Sequence, residues 1–252
     1  QQQCLDLLND YPDGISQSQL KHYLGNINTS LKSLETAGFI SQQQKAKLQI
    51  ARNELHFDLE LNDQQQNIVE NVWKKKDQFQ PFLLEGITGS GKTEVYIELT
   101  ERVLKDNQQV LILIPEIGLT SQFVDRFKKR LNTTIVILNS SVSDKERKQA
   151  WLLAKAGLAH VIIGTRSAVF TPLSQPGLII IDEEHDSSYK QQDGLRYHAR
   201  DLAVMRAHTE NIPLVLGTAT PSLETLNNAL TKRYGHLQLT KRAGGASKTR
   251  SE

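Results

Sequence analysis

From Leu61 onward the apolar residues gather into short unbroken runs, at 82–84, 110–114, 135–138, 161–163, 178–181 and 214–216. Between them lie amphipathic stretches of helical period. A run that is apolar at every position suits a strand covered on both faces, and the intervening helices supply the cover. The pattern predicts an α/β domain over residues 61–240, built on a parallel sheet of about six strands.

The first sixty residues have a different texture. Leu5, Leu7 and Leu8 mark one helix, Tyr11-Pro12-Asp13-Gly14 a turn, and Ser16 the cap of a second helix. A third is expected from about Asn28 to Ala37, stopped by Gly38, the residue type that tolerates the left-handed turn at a helix end. Phe39 and Ile40 then lead into a glutamine-rich turn and a strand pair reaching Leu59. Three short helices followed by a hairpin is the order of a winged-helix domain, expected at 1–60. Such units often place their last helix in the DNA major groove. Here Lys32 is the one base within that helix, and Gln42, Gln43 and Gln44 occupy the wing. DNA binding, protein contact and a spacer role all stay open for this unit.

Composition narrows the class. Nowhere do about 18 apolar residues follow one another, which excludes a helical membrane span. The start, Gln1-Gln2-Gln3-Cys4, lacks the basic and apolar regions of a secretion signal, so a cytoplasmic location is expected. Cys4 is the single cysteine; it permits no internal disulfide and no cysteine-based zinc site. A net charge of +2 is too small to announce a nucleic-acid binder. Its distribution is uneven, because Lys232, Arg233, Lys241, Arg242, Lys248 and Arg250 fall between Glu224 and Glu252 with no acid among them. That stretch reads equally as a solvated tail or as a DNA-facing strip.

The chemistry sits at two strand ends. Gly86-Ile87-Thr88-Gly89-Ser90-Gly91-Lys92-Thr93 fits GxxxxGK[ST], with an apolar strand before it and a helix after it. Glycines let backbone N–H groups curl around phosphates, and the helix N-terminus adds its positive end. Lys92 is expected to neutralise the β and γ phosphates of ATP and Thr93 to ligate Mg²⁺. The run Gly177 to Ile181 ends in Asp182-Glu183-Glu184-His185, which puts carboxylates at the carboxyl edge of the sheet, where ligands of open α/β folds bind. Asp182 is expected to hold the Mg²⁺ and Glu183 to polarise the attacking water.

The Asp-Glu-x-His form, together with Gly217-Thr218-Ala219-Thr220-Pro221-Ser222, resembles a superfamily-2 helicase, with its P-loop NTPase, RecA-like lobe. More narrowly, the segments Pro115 to Thr120, Gly164 to Phe170 and Asp182 to Asp201 resemble a bacterial family of replication-restart helicases. The resemblance runs from about residue 61 to Gly244, and a winged-helix unit in front matches the family's domain order. It implies an ATP-driven 3′ to 5′ DNA helicase acting at abandoned replication forks in primosome assembly. Its partners would be forked and single-stranded DNA, primosome proteins and single-strand-binding protein.

Several roles follow from that resemblance alone. Gln65 matches a position that hydrogen-bonds adenine, although Asn62 and Gln65 also have the spacing of a capping box. Glu116 to Thr120 and Thr165 to Ser167 correspond to motifs that face the nucleic-acid backbone; Arg166 is either a phosphate contact or a surface ion-pair partner. Tyr189, Lys190, Arg196, Tyr197, His198 and Arg200 interleave rings with cations around the turn Asp193-Gly194, which suits a loop contacting single strands. In relatives a further aromatic often stands where Leu195 is, and Tyr197 and His198 could instead simply begin a helix. Thr218 and Thr220 resemble a motif coupling hydrolysis to motion, through His185. The resemblance also implies a second lobe, a DNA-end-binding domain and a cysteine-rich zinc insertion, none of which this sequence contains. Residues 241–252 are expected to be the start of an inter-lobe linker, and the chain to be a fragment with little unwinding activity of its own. A duplex translocase and a non-enzymatic nucleotide- or partner-binding scaffold are the competing readings.

Overall fold

The structure is a computed structural model and describes residue 24, residues 28–40 and residues 61–242. The chain divides into two units, Gln1–Lys47 and Leu48–Glu252. In the first, helix α1 covers Asn28–Thr36. Leu31 and Leu34, three apart and therefore on one face, are buried, and Gly38 follows the helix with φ at +76°. The other elements expected of a winged-helix domain, and the expected boundary at residue 60, lie outside the described residues.

The second unit runs α2 (Asp63–Trp73), β1 (Gln80–Gly86), α3 (Lys92–Lys105), β2 (Gln109–Leu113), α4 (Ser121–Arg130), β3 (Ile135–Leu138), α5 (Asp144–Lys155), β4 (Val161–Gly164) and β5 (Pro176–Asp182). It continues with β6 (Lys190–Gln191), β7 (Tyr197–His198), α6 (Ala199–Glu210), β8 (Pro213–Thr218), α7 (Leu223–Leu230) and β9 (Gly235–Leu239). Among the described residues seven strands form one sheet in the order β3-β4-β2-β5-β8-β1-β9, all pairs parallel, while β6 and β7 make a separate antiparallel hairpin.

All six expected strands are present, and β9 is a seventh. Its sequence, Gly-His-Leu-Gln-Leu, is a short alternation rather than an apolar run; β9 lies at the sheet edge, with only Leu239 fully buried. The interior strands show why their runs are unbroken. Val110 and Ile112, Val161 and Ile163, and Leu178 and Ile180 pack into one core with Val95, Leu99 and Phe127. Their neighbours Leu111 and Leu113, Ile162, and Ile179 and Ile181 pack into the opposite core. Each such side chain contributes about 1.5–3 kcal/mol on burial, so neither face tolerates a polar residue. On the second face Ala199, Ala203 and Ala207 recur every four residues along α6 and are fully buried, which lets the helix backbone lie close to the sheet.

Strand register sets the level of the functional ends. Asp182 of β5 lies opposite Gly217 of β8, and Gly217 lies opposite Leu84 of β1. Three adjacent strands therefore deliver the glycine-rich loop, the acidic motif and the threonine motif to one edge. Gly217 is required there, because a Cβ at this position would run into the Tyr96 hydroxyl arriving from α3. Among the described residues no helix is long and apolar enough to cross a membrane.

Gly217→Ala is expected to lose about 1–3 kcal/mol by overpacking, read as a lower midpoint in urea denaturation. In a Tyr96→Phe background, which removes the nearest clashing atom, the loss should be smaller. An equal loss in both backgrounds would mean that the tyrosine hydroxyl is not what excludes the side chain.

Candidate active site

The loop joining β1 to α3 turns through two left-handed glycines, Gly89 at φ +79° and Gly91 at φ +90°, the second being the residue before the helix. This brings the helix N-terminus to the sheet edge. Lys92 is buried, and its ammonium donates to the Gly86 carbonyl at 2.8 Å. The same nitrogen lies 3.7 Å from a Glu183 oxygen. Ser90 is fully buried and its hydroxyl lacks a hydrogen-bond partner among the described residues. A glycine turn leading into a helix N-terminus, with a buried cation and a buried serine hydroxyl beside it, fits a polyphosphate. Thr88 and Gly89 are exposed at its rim, and Thr93 follows Lys92 on the first turn of α3.

Asp182 ends β5. Burial is the main reason its carboxyl sits above the usual carboxylate range, and the neighbouring Glu183 adds to the rise. The Tyr96 hydroxyl, donating at 2.9 Å, and the Lys92 charge pull the other way. Burial likewise drives the Tyr96 phenol well above its ordinary value, which keeps it a donor. Glu183 has a φ of +45°, an uncommon backbone for a residue with a side chain. That turn sends its carboxylate between Lys92 and His185, at 3.7 Å from each. Among the described residues no three His, Cys, Asp or Glu side chains cluster as a metal site. Thr93 and Asp182 can supply the protein's share of Mg²⁺ ligands, with phosphate oxygens of the nucleotide completing the set. When bound, the cation supplies charge neutralisation at the phosphates.

His185 Nδ1 is 2.7 Å from the Thr218 hydroxyl, and Nε2 is 3.4 Å from the Thr220 hydroxyl. Thr218 Oγ1 also accepts from the Thr220 N–H at 3.0 Å. The histidine, both threonines and Glu183 thus form one connected group.

Gln65 makes the capping box with Asn62 in full: its N–H donates to Asn62 Oδ1 at 3.0 Å and its Oε1 accepts from the Asn62 N–H at 2.9 Å. Its Nε2 also reaches the Gly91 carbonyl at 3.4 Å, which places the residue against the glycine-rich loop. Thr120 caps α4 through its hydroxyl, accepting from Phe123 N–H at 3.2 Å, and Ile117 in the preceding turn is 92% exposed.

Around the hairpin the expectations divide. Lys190, Arg196 and Leu195 are exposed, the last at 75%, and Tyr197 is half-buried with its ring edge-on to Phe170 at 4.9 Å. Tyr197 and His198 form β7 rather than the start of α6. Tyr189 corrects the expected stacking role: it is 0% exposed, with its hydroxyl donating to the Asp182 carbonyl at 2.6 Å, so its ring offers no face to a base. Arg200 is also corrected as a DNA contact. Its guanidinium is turned inward to Glu184 at 3.1 Å and the Ser222 hydroxyl at 2.7 Å, and it pairs with Asp201 at 3.1 Å. Arg166 forms no ion pair among the described residues; it donates to the carbonyls of Ser188 and Lys190 at 3.0 and 3.1 Å. Tyr96 and Glu184 were not anticipated. A tyrosine in an apolar helix stripe reads as core, and a second glutamate in an acidic run reads as solvated.

With this geometry in view, comparison with known proteins defines the class. Residues 62–229 match the DEAD/DEAH box helicase family, and the chain belongs to it. Membership implies ATP and Mg²⁺ as cofactors. Within the family the chain is similar to the replication restart protein PriA of Haemophilus influenzae, 54% identical over 172 residues, 68% of this chain and 24% of that protein. It is 42% identical over 228 residues to PriA of Chlamydia trachomatis, covering 88% of this chain and 30% of the relative. The chain thus spans about a quarter to a third of the length of these relatives. Among solved structures it shares its fold with RecG bound to a three-way DNA junction, at TM-score 0.56 and 18% identity over 88% of this chain and 27% of that one.

The position of Asp182 has a consequence for stability. Its carboxyl is raised in the folded state, so the folded state favours the protonated form, and stability is lost as pH rises from below the unfolded value through the folded one. Asp182→Asn is therefore expected to melt above the parent at neutral pH in the presence of a chelator, with the gap closing at acid pH. A parent that melts higher than the variant at pH 7 would contradict the burial argument.

Proposed function

We propose that this chain is the first motor lobe of an ATP-driven 3′ to 5′ DNA helicase of replication restart. The observation that carries the reading is the meeting of Lys92, Glu183, His185 and Thr218 at one sheet edge, with Glu183 3.7 Å from both Lys92 and His185, and His185 2.7 Å from Thr218. In this reading Lys92 leaves the Gly86 carbonyl for the β and γ phosphates, Thr93 and Asp182 share the Mg²⁺, and Glu183 orients the attacking water. Gln65 exchanges a capping partner for adenine. His185, Thr218 and Thr220 carry the change at Glu183 into movement of the loop after β8.

DNA is the partner this reading requires, in keeping with the relatives' name, replication restart protein, and forked and single-stranded DNA are the substrates proposed. On this lobe the exposed Lys190, Arg196 and Leu195 of the hairpin and the segment around Ile117 are the surfaces offered to the strand. Primosome proteins and single-strand-binding protein are proposed partners on the sequence resemblance alone.

The test is ATP turnover by the full-length protein with and without forked DNA. DNA-stimulated turnover is expected to fall by about 10²–10³-fold in Lys92→Ala, the scale for loss of one group that stabilises charge in the transition state. Turnover that survives this substitution, or that ignores DNA, would count against a motor. Separately, Arg196→Ala is expected to weaken single-strand binding and reduce the slope of log affinity against log salt by about 1, as for one lost phosphate contact. An unchanged slope would remove Arg196 from the DNA surface.

A further inference from the structure

We propose that Glu184 and Arg200 are positioning residues for turnover at this site, a buried ion pair that holds the acidic loop, the loop after β8 and the start of α6 in a single arrangement. The inference rests on the motor reading above and names how its parts are kept aligned.

Glu184 is 0% exposed, yet its carboxylate is fully provided for. It accepts from the Ser222 N–H at 2.7 Å, the Ser222 hydroxyl at 3.0 Å, the Thr225 hydroxyl at 2.8 Å and the Arg200 guanidinium at 3.1 Å. Ser222 is the cap of α7, accepting from Thr225 N–H at 3.3 Å, so the carboxylate lies against a helix N-terminus, where negative charge is favoured. The backbone of Glu184 is tied as well, its N–H donating to the Gly217 carbonyl at 3.1 Å.

Burying such a pair is a poor way to gain stability, since an apolar group of similar volume would often serve as well. What the pair does supply is direction. Glu184 stands between Glu183, which faces Lys92, and His185, which faces Thr218. Fixing the middle residue by four donors fixes the aim of both neighbours. Arg200 lies two residues beyond β7, so the hairpin leaves the lobe through the same pair, while Arg166 and Tyr189 hold its other end at Ser188, Lys190 and Asp182. A displacement of the exposed hairpin therefore reaches the acidic loop at both ends.

Steady-state turnover of the full-length protein, with kcat and KM for ATP separated and with melting temperature measured alongside, tests the pair in Glu184→Gln, Arg200→Gln, the double variant and Arg200→Lys. Gln at 184 can still accept from the Ser222 N–H but brings no charge to Arg200. The kcat with single-stranded DNA is expected to fall by about 10–100-fold, the range for loss of a residue that orients a site from behind it, with KM for ATP unchanged within about twofold since the glycine-rich loop is untouched. The double variant should be no worse than the single ones, as for groups acting as a unit. Arg200→Lys keeps the charge without the rigid fork and should retain an intermediate kcat, a result available even if Glu184→Gln does not fold. An unchanged kcat in Arg200→Lys, or a double variant whose loss is the product of the two single losses, would overturn the proposal. If DNA fails to raise the turnover of the unmodified protein, the motor reading falls, and the ratio of variant to parent kcat still decides the role of the pair.

Discussion

The rest of the site depends on one registration: Asp182, Gly217 and Leu84 stand level on three adjacent parallel strands. Parallel pairing places all three carboxyl ends on one edge, and the bare backbone at Gly217 leaves room for the Tyr96 hydroxyl to pass and bind Asp182. A slip of one residue on β8 would turn its buried side chains to the wrong face. It would also carry Thr218 away from His185. Core packing on both faces of the sheet thus holds the chemical groups at the distances described.

Cations in this lobe serve two different ends. Lys92 is held between a carbonyl and a carboxylate, a place a phosphate can take over. Arg166 and Arg200 are engaged with carbonyls and with a buried carboxylate, and they fasten the chain on either side of the hairpin. Arginine suits this task because its planar fork makes several directed bonds at once. The exposed Lys190 and Arg196, by contrast, lie on the hairpin itself.

Much of this was legible in the sequence where a local rule decided the outcome. Five interior strands declare themselves as apolar runs because both faces are buried, the edge strand β3 is apolar as well, and the phosphate loop declares itself because Gly89 and Gly91 must take left-handed backbone. β9 is not legible because its sequence alternates, with only Leu239 fully buried. The sequence does not place Tyr189 and Arg200, because an aromatic or a cation near a functional motif has the same spelling whether it points outward or inward. Only tertiary packing distinguishes the buried ring that supports Asp182 from a stacking platform. Glu184 is illegible for the matching reason: its four donors come from residues 16 to 41 positions away.

The central claim is that three strand ends form one nucleotide-responsive site. Hydrogen exchange of the full-length protein, measured with and without a non-hydrolysable ATP analogue and Mg²⁺, tests it most directly. The account predicts that slowed exchange appears together in the segments 86–93, 182–186 and 217–222. Protection confined to 86–93, with the other two segments unchanged, would contradict it.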